Sequence, residues 1–159
     1  MGIGHKFRLA IMGWAIVAAS SGAAFACNPD RATISGDFGR ATFSVQVADT
    51  TATRAKGLMH VETLPTLSGM LFVYEAPKPV SFWMRNTLIP LDMLFAGSDG
   101  TILRIHPDAI PLDETVINGG ENVQFVLEIN GGLASRLGIK EGDTLEHPAI
   151  FENVGRRCE

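Results

Sequence analysis

Short strand-like segments separated by turn residues constrain the fold of this chain most strongly. Residues 41–48 alternate between apolar and polar, with Phe43, Val45 and Val47 on one face. This period of two is typical of a strand with one buried face. The other segments with strand character are residues 70–74, 80–84, 91–96, 101–106, 123–129 and 144–147. The sequence therefore predicts many short strands, and the turn between 91–96 and 101–106 predicts a hairpin.

Two short helices are predicted among these strands. Asp49 and Thr50 are good N-cap residues for a helix through Leu58. A second helix is predicted over residues 133–137, ended by Gly138. Residues 107–122 contain prolines and acidic residues and predict a long loop, with one brief strand as the alternative. The expected fold class is α+β, mainly antiparallel β with two short helices, and closure of the strands into a small barrel is one arrangement of it.

The first residues have the layout of a cleavable signal peptide. Lys6 and Arg8 precede an uncharged apolar stretch, and residues 24–26 (Ala-Phe-Ala) match a cleavage site. The alternative is a membrane anchor, which needs about 20 apolar residues, but the second half of this segment is Ser, Gly and Ala. We therefore predict a signal peptide at 1–26, an N-terminal arm at 27–40, a single domain at 41–159, and a periplasmic or secreted protein.

The two cysteines lie at the two ends of the predicted mature chain. Export would place Cys27 and Cys158 in an oxidising compartment, which predicts a disulfide between them. A lipid anchor on Cys27 is the alternative, although Phe25 makes the preceding residues a poor lipidation signal. Both alternatives stay open at this point.

The charge of the predicted mature chain is negative. The chain has 13 Lys and Arg against 17 Asp and Glu, and the predicted leader holds two of the basic residues, which leaves 11 against 17 and a formal charge of −6. This balance argues against binding nucleic acid or an anionic membrane through bulk charge. With the leader removed, no apolar run reaches membrane-spanning length. We expect a soluble monomer whose partner is a small molecule or an envelope component.

Several blocks of the sequence resemble a known family. They are residues 54–59, 69–72, 82–93 (FWMRNTLIPLDM), 127–132 and 140–146. Together they resemble the domain of unknown function 192 family over about residues 41–147. This chain has Arg85 where the family commonly has lysine, and the exchange keeps the charge but alters hydrogen-bond geometry. The resemblance implies a small, mostly β domain that is often exported in bacteria, and it implies no established activity.

Polar residues inside apolar segments mark the candidate site. Asp92 lies between Leu91 and Met93, and a buried carboxylate there needs a partner, for which Arg54 and Arg85 are natural choices. The structural alternative is that Asp92 and Asn86 brace the chain reversal around Pro90. In the next such segment Glu128 shares a strand face with Val126 and Gln124, either in a groove or in solvent, and Asn130 is an N-cap candidate. The candidate ligand-binding residues are Arg54, Trp83, Asn86, Asp92, Glu128 and Asn130.

Three hypotheses of function follow. The leading one is an exported, non-catalytic module that binds a small ligand, because no nucleophile elbow, phosphate loop or paired histidine motif is present. The second is an envelope hydrolase with Asp92 and Glu128 as acid and base, which requires both carboxyls in one cleft. The third is copper handling by Met59, Met70, Met84 and Met93, although methionine more often fills apolar cores. The leading hypothesis includes no cofactor and no bound metal.

Overall fold

The structure is a computed structural model that describes Met1, residues 28–153 and Gly155. Within these residues the chain forms seven strands and three short helices. They are β1 (Arg31–Gly36), β2 (Gly39–Ala48), α1 (Thr51–Lys56), β3 (Ser68–Phe82), β4 (Leu91–Ala96), β5 (Ile102–Ala109), β6 (Ile117–Asn130), α2 (Leu133–Leu137), β7 (Thr144–Glu146) and α3 (Pro148–Asn153). None of the helices in this part of the chain has the length and apolar character needed to cross a membrane.

Apart from Met1, the predicted leader lies outside the described residues, and so do both cysteines. The signal peptide, the disulfide between Cys27 and Cys158, and the lipid anchor on Cys27 therefore stay predictions.

All seven strands form one curled sheet in the order β5-β4-β6-β3-β2-β1-β7. Only β2 and β3 pair in parallel among these strands. The sheet curls far enough for its two edges to touch, since the Leu145 N–H of β7 donates to the Gly100 carbonyl at 2.8 Å just before β5. The mainly antiparallel sheet is confirmed, but the fold is largely β rather than α+β, because helices of five or six residues are too short to form a layer.

The two faces of the sheet each pack against a separate apolar cluster. Leu71, Leu94 and Leu127 point into the curled interior. Phe72 and Phe95 point to the outer face, which is covered by α1 and the loops around it. Because successive side chains alternate between faces, the central strand β6 is buried on both, and this explains its nearly continuous apolar run.

The region between residues 70 and 84 differs from the prediction. The sequence predicts two strands with a turn at 77–79, whereas the structure has one long strand, β3. Its pairing with β6 is irregular between Val73 and Lys78. Proline cannot donate to a strand ladder, so Pro77 and Pro79 occupy an irregular stretch of one strand instead of ending it.

Two segments predicted as irregular contain strands. The predicted arm at 27–40 holds β1, which pairs with both β2 and β7 and buries Ala32 and Ile34. The predicted loop at 107–122 shrinks to residues 110–116, because β5 and β6 extend into it from both sides. The helix α3 was not predicted from the sequence.

Both predicted helices are confirmed. Thr50 caps α1, its side chain accepting from the Thr53 N–H, and the helix ends two residues before the predicted Leu58, at Lys56. The structural reason is Gly57, whose φ of 49° leaves the helical region. The helix α2 has the predicted bounds and ends at Gly138 with φ 80°.

The contact between the two sheet edges depends on a glycine, which gives a first testable prediction. Gly100 has φ 87°, and a Cβ there would lie 2.1 Å from the Leu145 carbonyl oxygen. We expect Gly100→Ala to lower the free energy of unfolding by about 3 kcal/mol, from backbone strain and overpacking together. Gly39→Ala is the control, because Gly39 also has a positive φ but open space around it. Equal losses in urea unfolding would contradict the steric argument.

Candidate functional site

The candidate site is a pocket of 250 Å³ on the outer face of the sheet. It lies between α1, β3, the segment after β3 and the central strand β6. Polar and apolar groups both contribute to its wall, and aromatic side chains line it beside the charged ones. The polar and charged residues that line it are Arg54, Lys56, Tyr74, Ser81, Thr87 and Glu128.

Glu128 provides the buried carboxyl group of this pocket. It lies opposite Met70 of β3 and Met93 of β4 in the sheet, and only 4% of its surface is exposed. Among the described residues its side chain has no hydrogen bond or ion pair. Burial raises the pKa of Glu128 to about 8, so the group is a neutral carboxylic acid at pH 7 and can donate as well as accept a hydrogen bond.

Arg54 forms the cationic side of the pocket. Its Nη1 donates to the carbonyl oxygens of Asp49 at 2.6 Å and of Val73 at 2.7 Å. Its Nη2 donates to Glu75 at 3.1 Å, and its guanidinium lies 5.0 Å from the centre of the Tyr74 ring. The guanidinium is therefore held in place by backbone groups, and the neighbouring ring adds a cation–π contact.

Aromatic rings form the opposite side. Phe72 and Phe82 meet edge to face with centroids 5.1 Å apart. Trp83 stands at the mouth of the pocket with 47% of its surface exposed, and the Arg85 guanidinium lies 4.7 Å from its ring centre. Burial raises the pKa of Tyr74 above its ordinary value, so its hydroxyl stays neutral at pH 7.

A group of exposed apolar residues continues outward from Trp83. We call it the mouth patch: Trp83, Leu88, Ile110, Leu112 and Val116. Backbone hydrogen bonds join its two segments, from the Met84 N–H to Asp113 at 2.8 Å and from the Leu112 N–H to Thr87 at 3.1 Å. Leu112 has φ 64° and an exposed side chain. Such a backbone costs about 1–3 kcal/mol and is found most often at functional sites.

Asp92 does not lie in this pocket. It faces Ile129 across the sheet, whereas Glu128 faces Met93, so the two carboxyls are on opposite faces. Asp92 is fully buried, and its Oδ1 accepts from the backbone N–H of Asp108 at 2.7 Å and of Gly132 at 2.8 Å. Its Oδ2 accepts from the Ala134 N–H at 2.7 Å.

These contacts correct two expectations for Asp92. It pairs with backbone groups instead of Arg54 or Arg85. Its role is bracing, but it ties the start of α2 to β5 and not the chain reversal around Pro90 that the sequence suggested. The hydrolase hypothesis that uses Asp92 and Glu128 as acid and base is wrong for this geometry, because one cleft cannot reach both faces of the sheet.

The two candidate asparagines also hold loops. Asn130 donates from Nδ2 to the carbonyl oxygens of Leu64 at 3.2 Å and Pro65 at 3.0 Å. Gly132, not Asn130, is the N-cap of α2. Asn86 has φ 56° in an exposed turn, and its Nδ2 lies 3.9 Å from the Sδ of Met59. Of the six candidates the structure brings Arg54, Trp83 and Glu128 together in the pocket, with Asn86 beside it, and it places Asp92 and Asn130 elsewhere.

Three of the four methionines fill the apolar core, which is the more common role of methionine. Met70, Met84 and Met93 are buried in the apolar cluster of the outer face, and Met59 lines the pocket. Across residues 28–153, with Met1 and Gly155, no group of three or more His, Cys, Asp or Glu side chains could hold a metal ion. The copper hypothesis gains no support from this arrangement.

Several lining residues, among them Tyr74, Phe82 and Thr87, were not among the six candidate site residues. Tyr74 and Phe82 lie at the two ends of the irregular stretch of β3, and their approach follows from the continuity of that strand. Thr87 is buried although it follows an exposed turn. The signal that could have been used is an aromatic residue on each side of the prolines, Tyr74 and Phe82, which would have indicated that both line the same pocket.

The sequence model of the DUF192 family, described as "Uncharacterized ACR", matches residues 32–147. The chain belongs to this family. A comparison with the curated proteins finds no match. The DUF192 family is uncharacterised, and the match extends from β1 to the residue after β7.

Two solved structures are similar to this DUF192 chain. One is a protein of unknown function from Novosphingobium aromaticivorans DSM 12444, with 42% identity, a TM-score of 0.72, and coverage of 80% of this chain and 94% of that one. The other is a putative transcription regulator from Sinorhizobium meliloti 1021, with 41% identity, a TM-score of 0.73, and coverage of 75% of this chain and 93% of that one.

Proposed function

We propose that this DUF192 domain is a non-catalytic module that binds a small ligand in the pocket between α1, β3 and β6. The observation that carries the proposal is the carboxyl of Glu128: the residue is only 4% exposed, it lines the pocket, and its side chain has no hydrogen-bond partner among the described residues. Polar groups that are largely removed from water are usually hydrogen-bonded. A ligand group that bonds to Glu128 supplies the missing partner.

The form of the pocket supports the same proposal. A volume of 250 Å³, with aromatic side chains and several polar groups in the same wall, suits a small molecule that has both polar and apolar parts. Glu128 is the only carboxyl among the lining residues, and Asp92 on the other face leaves it without an acidic partner for general acid–base chemistry. We therefore favour binding over catalysis.

Location and partner belong to the same proposal. The signal-like leader supports a periplasmic or secreted protein, so the ligand is a molecule of the cell envelope. The similar structure from Sinorhizobium meliloti is titled a putative transcription regulator. The formal charge of −4 for the whole chain favours a small ligand over nucleic acid here.

A fragment screen with a pocket-filling variant tests the proposal. We expect small molecules to shift the amide NMR signals of Arg54, Tyr74 and Glu128 in the full chain. Ser81→Phe should abolish these shifts, because residue 81 lines the pocket. Ser135→Phe is the matched control, since Ser135 is exposed on α2 and outside the pocket.

Two results would contradict this proposal. One is a diverse fragment set of acids, amines and neutral molecules that leaves all pocket signals unchanged. The other is binding that survives unchanged in a folded Ser81→Phe variant.

A further inference from the structure

We infer that the pocket and the mouth patch together bind an anionic amphiphile: its carboxylate head lies between Glu128 and Arg54, and its apolar part lies along Trp83 and the rest of the patch. This inference rests on the proposed function and names the ligand class for the same site. It follows from the charge of the lining, the hydrogen-bonding character of its polar groups, and the apolar surface that continues from its mouth.

The charges that line the pocket favour an anion. Arg54 and Lys56 are the basic residues of the lining, and Glu128 is its only acidic one. Because Glu128 is neutral below about pH 8, the lining has a positive formal charge at pH 7. A carboxylate is attracted to this site, and an ammonium group is repelled.

Glu75, the acid that pairs with Arg54, cancels this charge only in part. The Glu75 side chain is 75% exposed while that of Arg54 is 13% exposed. A pair with such an exposed partner is screened by water and contributes little. The guanidinium is fixed by the carbonyls of Asp49 and Val73 with or without Glu75.

The polar groups of the pocket can each donate a hydrogen bond to a carboxylate. Besides the guanidinium, they include the hydroxyls of Tyr74 and Ser81 and the neutral carboxyl of Glu128. A carboxylic acid that donates to a carboxylate forms a short, charge-assisted hydrogen bond, about twice as strong as a neutral one. A carboxylate head would therefore satisfy Glu128, which the protein itself leaves without a partner.

The mouth patch accounts for the apolar part of the ligand. Trp83 lines the pocket and is itself a member of the patch, so the two surfaces share this side chain. Val116 lies next to it, because Phe82 and Ile117 are paired in the sheet. Covering exposed apolar side chains contributes roughly 25 cal/mol per Å², so a chain that leaves the pocket along the patch gains affinity from its length.

Four probe molecules distinguish the contribution of the head group to affinity from that of the tail. Octanoate, octylammonium and 1-octanol share a tail, and acetate has the head alone. In a Trp14→Phe variant of the full chain, Trp83 is the only tryptophan, so its fluorescence reports on the pocket mouth. At about pH 6.5 we expect octanoate to bind at least about tenfold more tightly than each of the other three.

Variants of the head site and the patch complete the test. Raising the pH from about 6.5 to about 9 should weaken octanoate binding by about tenfold or more as Glu128 ionises. Glu128→Gln should remove this pH dependence, while the other charged or titratable groups near the pocket are common to both proteins: Arg54, Lys56, Tyr74, Glu75, Lys78 and Arg85. Leu112→Ser should weaken octanoate binding and leave acetate binding unchanged.

Specific results would overturn the inference. Octylammonium binding as tightly as octanoate at the pocket would exclude an anionic ligand, yet it would leave the proposed small-ligand function standing. An octanoate affinity that changes neither with pH nor in the Glu128→Gln variant would exclude Glu128 as the head-group partner. Absence of any pocket ligand in the fragment screen described above would instead remove the proposed function itself.

Discussion

The Asp92→Asn variant is expected to lose about 3 kcal/mol of unfolding free energy. The Asp92 carboxyl accepts three backbone hydrogen bonds, from Asp108, Gly132 and Ala134, and it is fully buried. Asparagine keeps one oxygen and replaces the other by an NH2 group, which would face a backbone N–H. At least one buried donor is then left without an acceptor, and such a group costs about 1–3 kcal/mol.

Urea unfolding followed by circular dichroism measures this loss, and Asp113→Asn is the matched control. Asp113 also accepts a backbone N–H, from Thr115 at 2.8 Å, but it is exposed. Water can replace that bond, so we expect a loss below about 1 kcal/mol. Similar losses for the two variants would show that Asp92 does not brace the sheet as described. A loss of ligand binding in Asp92→Asn without a loss of stability would return Asp92 to the list of site residues.

The case of Asp92 also shows where sequence reasoning stops. A carboxyl inside the apolar strand at 91–96 needs a hydrogen-bond or ionic partner. The sequence is compatible with a bracing role for Asp92 and with an ion pair to an arginine. The choice depends on which residues of β6 lie opposite β4. That register places Asp92 beside Ile129 and Glu128 beside Met93. The register is set by pairing between distant segments and cannot be read from either strand alone.

The pocket was predictable in part for a similar reason. Arg54, Trp83 and Glu128 stand out in the sequence as polar or aromatic residues in unusual surroundings, and the structure gathers all three. Tyr74 was missed because Pro77 and Pro79 predict a turn that would separate it from Phe82. The irregular pairing of β3 with β6 accommodates both prolines. Whether prolines can be accommodated in this way depends on the pairing of the whole sheet and is not visible in the sequence of β3 alone.

The second large effect is a pH dependence of stability that comes from Glu128. Burial raises its pKa from 4.5 to about 8 in the folded protein. Between these values the folded chain holds a proton that the unfolded chain has lost, so the free energy of unfolding falls as the pH rises through this window. One unit of pKa corresponds to about 1.4 kcal/mol, which sets an upper limit of roughly 5 kcal/mol for this contribution. We expect a loss of several kcal/mol between about pH 5 and pH 9.

Comparison with Glu128→Gln isolates this contribution. Glutamine has nearly the same size as glutamate and does not titrate. The natural chain should therefore be more stable relative to the variant at low pH, and this advantage should shrink as the pH rises. His147 is buried, and burial lowers its pKa, but it is common to both proteins and cancels in the difference. Glu121→Gln on the same strand is the control, because Glu121 is exposed and folding does not remove it from water.

The outcome bears directly on the site. A difference that shifts by several kcal/mol for Glu128→Gln and stays constant for Glu121→Gln would establish a neutral, buried acid at the floor of the pocket. A difference that stays constant for both would mean that Glu128 is ionised and solvated in the folded protein. The lining would then have a second full charge opposite Arg54, and the preference for a carboxylate ligand would lose its physical basis.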